Sequence, residues 1–152
     1  EGCGPGRELR DGVLDVQAMS GETAGAILAS QAKDNENPFW ALAQRDIVEQ
    51  NMMHTGYPQN RTHYVEGPVE DTLPGQAPDE IALLRLDTDW YESTRHELIH
   101  LWPRLRPGGV LIVDDYGYWQ GARRAVDEFF AGLADAPLLA RIDFTGRIAV
   151  KR

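Results

Sequence analysis

Two apolar runs of strand length organise the second half of the chain. Ile81-Ala82-Leu83-Leu84-Arg85-Leu86 ends in Asp87, and Val110-Leu111-Ile112-Val113 ends in Asp114-Asp115. Each is followed by apolar positions at helical spacing. From Glu92 to Leu105 a helix is expected, with Ser93 or Thr94 as its cap, Leu98, Leu101, Trp102 and Leu105 as its inward face, and Pro107-Gly108-Gly109 as its stop. A second amphipathic helix is expected from Gly121 to Leu133. Strand, helix, strand, helix predicts an α/β fold with a parallel pair, because parallel neighbours need a crossover; continuous apolar strands predict burial on both faces. The end of the chain differs. Leu138 to Phe144 and Arg147 to Val150 flank Thr145-Gly146, the signal of an antiparallel hairpin at the sheet edge.

The first half is less regular. Residues 1–39 are dominated by Gly, Pro and charge, with one weak helical stretch from Thr23 to Lys33, and read as a loosely ordered connection. From Trp40 to His54 the positions Ala41, Leu42, Ile47, Val48 and Met52 predict a helix, closed by Gly56 as a left-handed cap with Pro58 beyond it. A short strand is expected from Thr62 to Val65. The whole, 1–152, reads as a single domain with an α/β core at 40–152 and no internal repeat.

Composition narrows the function. With 15 Lys+Arg against 24 Asp+Glu the formal charge is -9, which repels a phosphate backbone and argues against nucleic acid or an anionic membrane as partner. Cys3 is the sole cysteine, so no intrachain disulfide forms, and no apolar run approaches the roughly 20 residues of a membrane span. No basic segment followed by an apolar one stands at the N-terminus, and a cytoplasmic location is expected.

In open α/β sheets ligands sit beyond the carboxyl ends of the strands, which is where Asp87, Asp114 and Asp115 are delivered. Three converging carboxylates repel one another unless a cation neutralises them, and an all-oxygen set suits Mg²⁺ or a similar hard ion. The competing reading of the same acids is as solvated strand ends or helix N-caps. Three other patterns compete. His96-Glu97-Leu98-Ile99-His100 satisfies the zinc-hydrolase signature, but Pro103 follows closely and the helix carries an apolar packing face. Asp87-Thr88-Asp89 with Asp114-Asp115 has the order of a magnesium-dependent phosphatase; the 27 residues from Asp87 to Asp114 contain no lysine and leave no room for its other elements. The opening Glu1-Gly2-Cys3-Gly4-Pro5-Gly6 looks like a cofactor glycine loop, yet no strand precedes it, and the polar stretch Arg7 to Asp11 is too short a helix before Gly12.

Four separated segments, YVEGPVEDTLP, LLRLDTDWYEST, LRPGGVLIVDDYG and GARRAVDEFF, resemble in order and spacing the macrocin O-methyltransferase (TylF-like) family. The resemblance covers roughly residues 51 to 152. It implies the Rossmann-like sheet of class I methyltransferases, ended by an antiparallel hairpin, and S-adenosylmethionine and Mg²⁺, or a similar divalent cation, as cofactors. It also implies a sugar hydroxyl of a small molecule or natural product as acceptor. Under it Asp87 is metal ligand and general base, and Asp114 and Asp115 complete the ligand set. Gly67, Pro68, Val69 and Glu70 line the adenine pocket, and Asp89, Tyr91, Tyr116 and Trp119 are candidates for the acceptor side. Family spacing places Glu1-Gly2 at the end of a motif after the second strand, so that the first strands, the glycine loop and the ribose-binding acid are expected upstream. The isolated 152 residues are then expected to bind S-adenosylmethionine poorly. A non-catalytic fragment completed by a partner chain, or self-associating through an open sheet edge, is the alternative of a different class.

Overall fold

The computed structural model describes residues 20–30 and 44–152. The opening Glu1 to Gly6, the polar stretch to Gly12, and Lys33, Trp40, Ala41 and Leu42 of the expected helices lie outside the described residues. A mixed sheet forms the centre. β1 (Ile81–Leu86) runs parallel to β2 (Leu105–Val113), which pairs antiparallel with β4 (Arg147–Val150), and β3 (Ala140–Arg141) closes the order β1-β2-β4-β3. Helices α4 (Tyr91–Leu101) and α5 (Gln120–Ala131) pack together on one face of it. Leu84, Leu86, Leu111, Val113 and Ala149 of the sheet meet Leu98, Trp102, Val126 and Phe130 in one buried cluster. A fully buried Leu or Val contributes about 1.5–3 kcal/mol by leaving water, so this cluster fixes the register beneath the strand ends.

The other face is not covered by any described residue to the same degree. Leu83 is 62% and Val150 55% exposed, while Val110, Ile112 and Ile148 are half-buried. Among the described residues β1 alternates inward Leu84 and Leu86 with outward Leu83 and Arg85, so the helices α4 and α5 meet one face of the sheet. Thr62 to Val65 forms no strand with any described residue; a single 3-10 turn, Gln59–Arg61, precedes it.

Element boundaries moved for local reasons. Trp90, not Ser93 or Thr94, occupies the cap position of α4; both hydroxyl residues lie inside its first turn and are buried. Pro107-Gly108-Gly109 does not stop a helix: α4 ends at Leu101, a 3-10 turn (Trp102–Arg104) follows, and β2 runs through the three residues. Gly108 adopts φ +80, and backbone bonds Gly108 N–H to the Lys151 carbonyl (2.8 Å) and Lys151 N–H to the Gly109 carbonyl (2.9 Å) extend the pairing there. The hairpin turn is longer than Thr145-Gly146. Asp143 Oδ1 accepts from Gly146 N–H (2.6 Å) and Thr145 N–H (3.0 Å), so the carboxylate organises the turn, and those N–H groups hold its pKa below the usual range.

Upstream, α1 (Ala24–Ser30) starts at Thr23, whose hydroxyl accepts from Ala26 N–H at 3.2 Å. Ala24 and Ile27 are buried against Trp119 and Ala122, with Trp90 and Tyr118 alongside. α2 (Arg45–His54) ends as expected, with Gly56 at φ +74, but buries none of its residues among those described. A four-residue helix, α3 (Val69–Thr72), leans on α4.

Candidate functional site

Backbone pairing alone sets two carboxylates side by side. Leu86 pairs with Val113, and the next N–H, that of Asp114, donates back to the Leu86 carbonyl at 3.0 Å. The residue after each strand is an aspartate, so the strand spacing of about 4.8 Å separates Asp87 from Asp114, with Asp115 next to it. One carboxylate oxygen from each of Asp87, Asp114 and Asp115 lies within 4.8 Å of the other two. An oxygen-only, partly exposed set at that separation fits a hard divalent cation better than zinc.

A cation from the chain itself already bridges two of the acids. Arg85 stands two residues before Asp87 on the same face of β1 and spans the acids, Nη1 to Asp87 Oδ2 at 2.6 Å and Nη2 to Asp114 Oδ1 at 3.1 Å. Period-two alternation was the available signal, since it puts Arg85 and Asp87 on one side. The electrostatics remain divided. Burial first, and the Asp87 carboxyl second, raise the pKa of Asp114, while Arg85 opposes them without winning. Burial alone would lower the Arg85 pKa; Asp87 and Asp114 together raise it instead.

The turn between β1 and α4 is tied down from below. Asp89 has φ +67, a left-handed conformation that non-glycine residues seldom adopt. Thr88 Oγ1 donates to Glu97 Oε2 at 2.8 Å, and Ser93 Oγ donates to the Thr88 carbonyl at 3.2 Å. Glu97 is thereby turned away from the solvent side where a zinc-hydrolase base would stand. His96 Nε2 lies 3.3 Å from the Leu73 carbonyl, and the His96 and His100 rings are 4.4 Å apart; burial first, then His96, lowers the His100 pKa. Among the described residues the only group of three or more potential ligands is the aspartate triad, so the His-Glu-x-x-His pattern has no third ligand there.

The remaining candidates are placed as follows. Gly67 adopts φ +129 and a side chain there would press on Thr72 Cγ2 at 3.2 Å, so the tight turn into α3 requires glycine. Pro68 caps α3, Val69 opens it, and Glu70 lies close enough to Glu97 to raise its pKa. Tyr91 donates to Glu128 Oε2 (2.6 Å) under the Arg124 guanidinium, and Tyr116 to Asp127 Oδ1 (2.7 Å) with Arg123 and Arg147 over its ring. Both hydroxyls are thus engaged by α5. Trp119 is 4% exposed, its ring tilted at 56° to that of Trp90 with centroids 5.0 Å apart, and it packs against Ala24 and Ile27. Gly117 bonds through its N–H to the Thr145 carbonyl (2.9 Å), and a Cβ there would collide with the Phe144 carbonyl oxygen, so the loop carrying Asp115 is pressed onto the hairpin tip.

Known proteins share this arrangement of elements. An O-methyltransferase of Streptomyces olivaceus, named for the 4'-position of 8-demethyl-8-(2,3-dimethoxy-alpha-L-rhamnosyl)-tetracenomycin C, is 37% identical over 99 residues, 65% of this chain and 38% of that protein. Demethyldecarbamoylnovobiocin O-methyltransferase of Streptomyces niveus is 34% identical over 135 residues, 89% of this chain and 50% of the relative. The solved structure of the O-methyltransferase NovP superposes with a TM-score of 0.64 at 30% identity, covering 93% of this chain and 57% of that one. CalS11, a calicheamicin methyltransferase, shares the fold at a TM-score of 0.60 and 22% identity over 74% of this chain and 49% of its own. The chain spans about half the length of the relatives it matches. The α/β sheet with its terminal hairpin is that of the class I methyltransferases. With a match that runs from residue 22 to residue 150, the chain belongs to the macrocin-O-methyltransferase (TylF) family.

Proposed function

We propose that the chain supplies the metal- and acceptor-binding part of an S-adenosylmethionine-dependent O-methyltransferase acting on a hydroxyl, in the first place a sugar hydroxyl, of a natural product. The observation that carries the reading is the convergence of Asp87, Asp114 and Asp115 at the carboxyl ends of β1 and β2 in a chain of this family. The names of the relatives support the substrate class, since one specifies a rhamnosyl-tetracenomycin and another demethyldecarbamoylnovobiocin. The three aspartates are the residues that would hold Mg²⁺ or a similar ion. Such an ion lowers the pKa of a hydroxyl and neutralises the carboxylates around it.

The chain's own groups account for the rest. Asp87 would serve as general base, its carboxylate taking the proton of the acceptor hydroxyl, and S-adenosylmethionine, where bound, would supply the electrophilic methyl group. Asp114 and Asp115, held by the β1–β2 register, orient the acceptor relative to Asp87. Gly67, Pro68, Val69 and Glu70, on the turn and helix packed against α4, are assigned to the adenine side of the cofactor. Methyl transfer from labelled S-adenosylmethionine to glycosylated acceptors tests the assignment. In the complete enzyme Asp87→Asn is expected to lower turnover by about 10²–10⁴-fold, the usual worth of a positioned base, Asp114→Asn to lower it through loss of a metal ligand, and a chelator to abolish it. Undiminished turnover with the metal chelated would refute the mechanism.

A further inference from the structure

The inward face of α4 changes character along its length. Towards its C-terminal end it buries Leu98 and, just beyond, Trp102; in its first two turns it buries Ser93, Thr94 and Glu97 instead. These three lie on one side of the helix, since Ser93 and Glu97 are four apart and Thr94 and Glu97 three apart. Sinking three polar side chains, one of them a carboxyl, is unfavourable unless each finds a partner. The partners are in the turn that follows β1. Thr88 Oγ1 donates to Glu97 Oε2 at 2.8 Å and lies 3.5 Å from Thr94 Oγ1, Ser93 Oγ reaches the Thr88 carbonyl at 3.2 Å, and the Trp90 N–H closes the turn onto the same carbonyl at 2.7 Å.

We propose that Glu97, acting through the Thr88 hydroxyl, is a positioning residue that fixes the turn from Asp87 to Trp90 and so aims the Asp87 carboxylate. The role of Asp87 rests on the function proposed above, whereas the clamp itself does not. Two features require a clamp. Asp89 holds a left-handed backbone that relaxes readily unless its neighbours are fixed, and Thr88 is the one residue between it and Asp87. Burial keeps the Glu97 carboxyl largely protonated below neutrality, against the hydrogen bond from Thr88 and with Glu70 of α3 and Asp87 adding to the effect. Either protonation state retains an oxygen that accepts from Thr88, so the clamp persists across this range.

Amide hydrogen exchange and Mn²⁺ binding followed by electron paramagnetic resonance, both on the 152-residue chain, test this with Thr88→Val, Thr88→Ser, Glu97→Leu and Glu97→Gln. Exchange at the Trp90 amide is expected to accelerate at least about tenfold in Thr88→Val and Glu97→Leu, the expected loss when a buried hydrogen bond of roughly 1–2 kcal/mol is removed. It should stay near the parent value in Thr88→Ser and Glu97→Gln, which keep donor and acceptor, and amides of α5 report that the fold is intact. Unchanged exchange at Trp90 in the two disruptive variants overturns the clamp. Mn²⁺ affinity is expected to fall with the clamp and to be rescued by the conservative pair; affinity equal to the parent in all four variants overturns the link to Asp87. If the parent chain binds no Mn²⁺, the metal reading falls while hydrogen exchange still decides the clamp.

Discussion

Arg85 offers the sharpest perturbation of the acidic cluster. Replacing it by methionine keeps an unbranched stem on β1 and removes the guanidinium that spans Asp87 and Asp114 at 2.6 and 3.1 Å. The three side chains are 51, 44 and 40% exposed, so each ion pair is worth only about 0.2–1 kcal/mol after solvent screening. Together they amount to about 1 kcal/mol. A divalent cation that takes the same carboxylate oxygens must displace those pairs, so Arg85→Met removes an internal competitor. Because 1.4 kcal/mol is tenfold, the variant should bind Mn²⁺ about fivefold more tightly in calorimetry at fixed ionic strength. Without metal the opposite holds: Arg85 no longer counters the burial and Asp87 effects on Asp114, whose pKa moves further up, and the chain loses up to about 1 kcal/mol of stability near neutral pH. Metal should therefore raise the melting temperature of the variant more than that of the parent. Carbon-13 titration of the Asp114 carboxyl gives the second readout. Mn²⁺ binding weaker than the parent's would show that Arg85 aims the carboxylates rather than competing for them, and would refute the reasoning.

Glu97 makes stability pH-dependent. Its carboxyl, raised from 4.5 to about 7 chiefly by burial and further by Glu70 and Asp87, contributes fully below pH 4.5, and that contribution is lost as pH rises through 7. At 1.36 kcal/mol per pKa unit the loss is about 3 kcal/mol by pH 8; urea unfolding of Glu97→Gln should show the difference from the parent growing in the variant's favour over this range, and a constant difference would contradict it. Gly117→Ala puts a methyl against the Phe144 carbonyl oxygen and Thr145 Cα, so a loss of about 1–3 kcal/mol is expected in urea unfolding. A variant as stable as the parent would mean that the two loops part freely.

Legibility from sequence followed the physics of each region. Strands β1 and β2 were readable because buried strands are written in runs of apolar residues, and the acids after Leu86 and Val113 announced their position at the sheet's carboxyl edge. Which face of β1 meets α4 and α5 was not legible, because Leu83 is as apolar as Leu84 and composition does not say which of two apolar neighbours faces the helices. Ser93 and Thr94 carry good capping chemistry, but Trp90 took the cap because the two hydroxyl residues were drawn beneath the 87–90 turn. Glu97 drew notice only through the discounted zinc pattern; its spacing from Ser93 and Thr94 sets the three on one side of the helix, but their burial is seen only in the structure. Asp143 was passed over because the Thr-Gly pair beside it is the stronger hairpin signal, whereas the turn is held by a carboxylate accepting two backbone N–H groups. The tie between Arg85 and Asp114 joins residues of different strands, which requires the register as well as the sequence.

The pairing of Leu86 with Val113 constrains how mutation can act on the acids. The distance between Asp87 and Asp114 is a property of the sheet's hydrogen-bonding lattice and not of the two side chains, so mutation cannot adjust it in small steps. Sliding β1 by one residue would bury Arg85 and expose Leu86 at the moment it carried Asp87 to the wrong side. Whatever stabilises the fold therefore also holds the spacing of the two acids, independently of the chemistry proposed for them. If the aspartates act as proposed, a variant that loses the chemistry by replacing one of them leaves the sheet lattice, and with it the spacing of the two positions, unchanged.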